Sequence, residues 1–227
     1  MEDADVDVAV AAVKPSYCSV RGSVQEKLGI FAFLGDAEGV RRALEDGMFC
    51  DNFNVDAACY DKNGRTPGLN PALLLACMKS GEEYTKVVKL LLSNCANPDV
   101  GRHDCTPLLA ACKLGNVEVV FCLLRSRADP NKADAKGRTP VLECLLRKDL
   151  RCLSALQCGP AKLDVNAPLQ NGKTPLQFVL ELGWLEGAAT LQVMGAYRAP
   201  RDGMITISAT VPPSPAALSP MSAPSLS

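Results

Sequence analysis

A chain of 227 residues, 48% of them hydrophobic, can bury a substantial core in one large domain or two small ones and is not disordered overall. Its formal net charge of -1 argues against a protein whose main work is neutralising nucleic-acid phosphates, although a local basic face is compatible with it. Eleven cysteines, an odd number with no Cys-x-x-Cys pair, fit free thiols in a reducing cytosol or nucleus better than a disulfide framework or a zinc site.

Residues 1–22 open on MEDADVDVAVAAV, which is acidic, lacks the basic start of a secretory leader and shows no sustained period, so this stretch reads as disordered. Glu2 is incompatible with glycine-dependent myristoylation. From Ser23, SVQEKLGIFAFLGDAEGVRRALEDG begins with Ser23 and Glu26 at capping-box spacing and sets Val40, Ala43 and Leu44 on one helical face. The next stretch, MFCDNFNVDAACY, lengthens the connection after these helices and gathers Phe49, Phe53 and Tyr60 in a chain that is only 5% aromatic. Exposed, they would anchor a partner; folded back, they would cap the first helices. The longest dense apolar run, PALLLACM at 71–78, is far too short for a helix to cross a bilayer about 30 Å thick.

Thr-Pro pairs then recur at Thr66-Pro67, Thr106-Pro107, Thr139-Pro140 and Thr174-Pro175, with spacings of 40, 33 and 35 residues. The unit at 106–138 is the most regular. Thr106 is placed to cap a helix, and Pro107 at its first position has no N–H to leave unsatisfied. That helix, LLAACKL, is rich in small residues that admit a close neighbour, and Gly115-Asn116 supply the turn that ends it. A second helix, VEVVFCLLRS, sets Val119, Cys122 and Leu123 on one face, and ADPNKADAKGR closes the unit as a polar, hairpin-like finger. The unit from Thr139 keeps both helices but has Lys148-Asp149 at the turn. The unit from Thr174 keeps Gly183 and loses aliphatic density in its second helix. The unit from Thr66 departs most, with TPGLN before its first helix and three extra residues between its helices. Insertions in such arrays map to loops that often bind.

Residues 201–227, including SATVPPSPAALSPMSAPSLS, are rich in Ser, Pro and Ala and read as a disordered tail, in which Ser214-Pro215 and Ser219-Pro220 suit proline-directed phosphorylation. The Gly172-Lys173-Thr174 triplet looks superficially like a phosphate-cradling loop. Ala167, however, stands where such a loop needs a second glycine, and the sister stretches DKNGRTPG and DAKGRTPV lack the lysine. The triplet belongs to the repeat, not to catalysis.

The 33-residue period, with TPLLAACKLGNVEVVFCLL and ADPN, resembles the ankyrin repeat. The resemblance implies an all-α solenoid of five stacked helix-turn-helix units with hairpin-like fingers, at about 23–65, 66–105, 106–138, 139–173 and 174–200. It also implies a non-enzymatic scaffold that holds a protein partner on the concave surface of its fingers and inner helices. His103 is the only histidine, which removes most acid-base and metal constellations, and Cys105 beside it has no third group to orient a Cys-His nucleophile. Placed on the family's pattern, Lys62, Arg65, Arg102, His103, Lys136, Arg138 and Lys173 form a basic row along the finger tips, which Lys113 and Arg147 would extend. Such a row suits an acidic segment of a partner, or serves only solubility. Trp184 would seal the end of the stack. The expectation is thus an intracellular module, cytoplasmic and also nuclear, monomeric on its own, with no cofactor, no metal, no membrane insertion and no nucleic-acid role. The alternative is an adaptor or inhibitor whose Ser/Pro-rich tail regulates while the array docks it.

Overall fold

Hydroxyl side chains open most of the inner helices. Thr106 Oγ1 accepts from Leu109 N at 3.1 Å and Thr139 Oγ1 from Leu142 N at 3.3 Å, each followed by proline at the first helical position. Thr174 forms a reciprocal box with Gln177, and Ser23 forms one with Glu26. In the computed structural model, which describes residues 23–50, 53–59, 70–101, 105–169 and 172–196, these caps start helices that run in pairs. The first pair is α1 (Val24–Leu34) and α2 (Ala37–Gly47), the second α3 (Ala72–Cys77) and α4 (Glu82–Ser93), and the third α5 (Pro107–Leu114) and α6 (Val117–Arg125). The fourth is α7 (Pro140–Arg147) and α8 (Leu150–Gln157), and the fifth α9 (Pro175–Glu181) and α10 (Leu185–Val193). The α3 helix lacks a hydroxyl cap and starts behind Pro71, so the chain from Thr66 to Asn70 precedes it.

The inner helices α1, α3, α5, α7 and α9 stack as one layer, and α2, α4, α6 and α8 stack behind them as a second. Small residues make the spacing possible: Ala76, Ala110 and Ala111 are buried between neighbouring helices, and Leu73, Leu75, Leu108, Leu123, Leu145 and Leu153 fill the seam between layers. The result is a single core that continues from repeat to repeat. Inner and outer helices are joined by tight turns in which Gly35 (φ 69°) and Gly115 (φ 74°) adopt the left-handed conformation. Lys148 takes the same conformation at φ 55° without being glycine.

The fingers are registered by short polar side chains. Asp56 Oδ1 accepts from Asn97 N at 2.8 Å, Asp99 Oδ1 from Asp129 N at 3.0 Å, and Asn131 Oδ1 from Asp164 N at 2.7 Å, while Asn166 Nδ2 donates to Gly195 O at 3.2 Å. Each bond links one repeat to the next. A two-stranded antiparallel ladder, β1 (Ala58–Cys59) with β2 (Asn70–Pro71), closes the lengthened first connection in the register Ala58↔Pro71 and Cys59↔Asn70. It is clamped to α1: Gln25 Nε2 donates to Ala57 O at 3.2 Å, and Cys59 lies so close over Gly29 that a Cβ there would fall 2.3 Å from the cysteine Cβ.

Candidate partner-binding surface

Each inner helix starts at a finger and ends at a turn, so the array has two distinct polar edges. Lys62, Arg65, Arg102, His103 and Tyr60 of the expected surface lie outside the described residues. Lys136, Arg138 and Lys173 lie on the finger edge. Lys136 is exposed and, among the described residues, makes no ion pair. Arg138 is differently placed. Its Nη2 lies 2.7 Å and its Nε 2.8 Å from Asp134 Oδ2, and its Nη1 lies 3.4 Å from Glu143 of α7. Asp134 has a fully buried side chain, and its Oδ1 accepts from Lys136 N at 2.9 Å and Arg138 N at 2.8 Å. Burial alone would raise the Asp134 carboxyl, but the bonds from Arg138 and Lys136 outweigh it and hold the group below the usual range. Arg138, in turn, becomes more basic. Its charge is therefore matched inside the finger. Lys173 reaches Glu181 at the far end of α9.

Lys113 and Arg147 do not extend that row. They occupy the last turns of α5 and α7, each an eight-residue helix, and so lie about 12 Å from the fingers at 1.5 Å per residue. There Arg147 Nη1 donates to the Lys113 carbonyl at 3.0 Å, which ties two repeats together and satisfies an oxygen at a helix end. Lys148, exposed at the same turn, and Arg151, exposed on the first turn of α8, join them.

The three aromatics of the first connection separate. Phe49 is 90% exposed beside Met48, itself 76% exposed, whereas Phe53 is half-buried on Gly47, where a Cβ would lie 2.7 Å from its ring. Phe49 is thus open to solvent, and Phe53 covers the first repeat. At the other end, the Trp184 ring lies over Gly187, whose missing Cβ would fall 2.2 Å from it, and the indole covers a stretch of α10 where preceding outer helices carry aliphatics. Cys77, Cys112, Cys144 and Cys152 are buried. Burial pushes the Cys77 thiol far above its ordinary value, and hydrogen bonds along Cys112, Cys144 and Cys152, with burial, do the same to Cys144 and Cys152. These thiols behave as core hydrophobes. Among the described residues, no group of three His, Cys, Asp or Glu side chains is arranged to hold a metal, and no helix is long and apolar enough to cross a membrane.

The finger ladder of Asp56, Asp99, Asn131 and Asn166 is the part of this edge that residue-type reasoning passes over. Its signal is an acidic or amide residue, one spacer and another such residue: Asn54 and Asp56, Asn97 and Asp99, Asp129 and Asn131, Asp164 and Asn166.

Comparison with known proteins agrees with this architecture. A family model of ankyrin repeats, in three copies, matches residues 28–134 and 73–166. The chain is 31% identical over 150 residues to a putative E3 ubiquitin-protein ligase, XBAT35, of Arabidopsis thaliana, covering 59% of this chain and 29% of that protein. It is 28% identical over 135 residues to the neurogenic locus notch homolog protein 1 of Xenopus tropicalis, covering 54% of this chain and 5% of that protein. The chain thus spans less than a third of either relative's length.

Proposed function

Because the chain belongs to the ankyrin-repeat family, whose arrays are protein-interaction modules, we propose that it is an intracellular scaffold or adaptor that binds a protein partner without turnover. The partner lies along the finger edge and the inner helices. The observation that carries this reading is one continuous core from α1 to α10 that leaves Phe49 and Lys136 projecting from a rigid finger edge. A preorganised surface binds through a few anchors and matched charge and pays little ordering entropy on contact. The free cysteines suit the reducing compartments of the cytosol and nucleus.

The test is affinity capture from lysate with the full chain and with a Phe49→Ala, Lys136→Glu double variant whose circular dichroism matches the wild type. A protein retained by wild type and lost by the double variant supports the finger edge as the recognition surface. Capture of the same set by both refutes it.

A further inference from the structure

The turn edge carries four cations that, among the described residues, no ion pair matches. Lys113, Arg147, Lys148 and Arg151 come from two successive repeats, α5 stacks directly on α7, and among the described residues none of the four makes an ion pair. This contrasts with the finger edge, where Arg138 and Lys173 are both matched by carboxylates. Asp149 of the same turn caps α8, its Oδ1 accepting from Arg151 N at 3.0 Å and Cys152 N at 3.1 Å, and its Oδ2 lies over Gly115 with the Arg147 guanidinium without forming an ion pair to it.

Two further observations mark this edge. Lys148 holds a left-handed backbone at φ 55° where the corresponding turns use Gly35, Gly115 and Gly183, so a cation is kept at a backbone cost that glycine does not incur. Exposed apolar side chains flank the cations: Leu146, on the last turn of α7, is 54% exposed, and Met78, which ends α3 where that helix packs on α5, is 43% exposed.

We propose that Lys113, Leu146, Arg147, Lys148 and Arg151, with Met78 one repeat before Lys113, form a docking surface for an acidic protein segment that carries apolar side chains between its carboxylates. This rests on the reading of the chain as a protein-binding module and names the chemistry of a partner at a second edge. Cations favour carboxylates through charge-assisted hydrogen bonds, and the Arg147 fork is already held by the Lys113 carbonyl, so little side-chain freedom is lost on binding. Leu146 and Met78 select against a bare polyanion, which would leave them uncovered. Glu82 and Glu118, which line the cleft between the second and third turns, bound the basic surface on that side, so the carboxylates of the segment lie over the cations and not over that cleft.

The experiment uses the full chain and a fluorescent peptide in which pairs of glutamates alternate with single leucines, followed by anisotropy at low and physiological salt. The expected result is saturable binding that weakens with salt and falls about tenfold or more in a Lys113→Glu, Arg151→Glu double variant of unchanged circular dichroism. Lys148→Gly supplies the control against misfolding: it relieves the left-handed backbone, so the urea midpoint rises while peptide affinity falls. The proposal is overturned if the wild-type chain does not bind the peptide, or if these variants bind it as wild type does. It is equally overturned if a leucine-free glutamate peptide or a single-stranded oligonucleotide binds as tightly. Capture of a protein through Phe49 and Lys136 without any peptide binding would remove this surface and leave the proposed function standing.

Discussion

Replacing Arg138 tests whether the finger cations are for partners or for the fold. Arg138 gives two charge-assisted bonds to the buried Asp134 carboxylate, at 2.7 and 2.8 Å, and a longer contact at 3.4 Å to the nearly buried Glu143. Arg138→Met keeps the aliphatic stem but leaves Asp134 Oδ2 without those donors. A bond to a charged group contributes about 1.5–3 kcal/mol net. Breaking a fully buried pair costs about 3–5 kcal/mol. The Arg138 side chain is 27% exposed, so water recovers part of the loss and the cost settles near 2 kcal/mol. Arg138→Glu sets a third carboxylate beside Asp134 and Glu143, and its cost rises to about 3 kcal/mol or more. Urea unfolding at pH 7, followed by far-ultraviolet circular dichroism, reads this as a lower midpoint at unchanged slope. A midpoint for Arg138→Glu that corresponds to a change under about 0.5 kcal/mol, the range of an ordinary surface substitution, would refute the assignment of Arg138 to the fold.

The same site predicts an acid limb. Because the Asp134 pKa is depressed in the folded state, its contribution is fully present above its unfolded value of about 3.9 and is lost as pH falls through the lower folded value; Asp134→Asn should therefore lose stability at neutral pH and flatten the acid side of a midpoint-against-pH plot. Gly187→Ala should displace the only tryptophan in the chain, and a red-shifted, more quenchable emission in the native state would show it; an unchanged spectrum would mean that the ring does not rely on the bare backbone. With a disulfide reagent at pH 8, the exposed Cys50, Cys95 and Cys158 should react within the mixing phase, while Cys59, pushed up to about 11, and the buried Cys77, Cys144 and Cys152 should react only at the rate of unfolding. Rapid labelling of Cys144 in the native protein would contradict the burial of this thiol chain.

What was legible in the chain was what local chemistry determines. Thr106, Thr139 and Thr174 announce their helices because a hydroxyl cap and a proline at the first position act within one turn, and the Ser23 and Glu26 box does the same without a repeat around it. The all-α stacking followed from the period, since one helix pair cannot bury its own apolar face. The surface was harder to read because a residue's side of a helix does not state which end of the array it reaches. Lys113 and Lys136 both follow a helix-forming segment in a repeat, yet one sits at a turn and the other at a finger. Nor does residue type reveal whether a cation is matched. Asp134 lies four residues before Arg138, so the pair is local in sequence, but its strength depends on burial under the finger and on Glu143 from the following helix.

The charge on such an array is therefore decided by what each repeat brings against its neighbour rather than by a count of lysines and arginines along one edge. Arg138 and Lys173 stand in the finger row and are answered by Asp134, Glu143 and Glu181; Lys148 and Arg151 stand outside it and are answered by none among the described residues. The conformation of Lys148 sharpens the contrast. A turn that glycine fills without strain elsewhere in the array holds a lysine here; its charge suits the C-terminal end of α7, but among the described residues no hydrogen bond or ion pair holds that side chain. An acidic segment at that edge, as proposed, would.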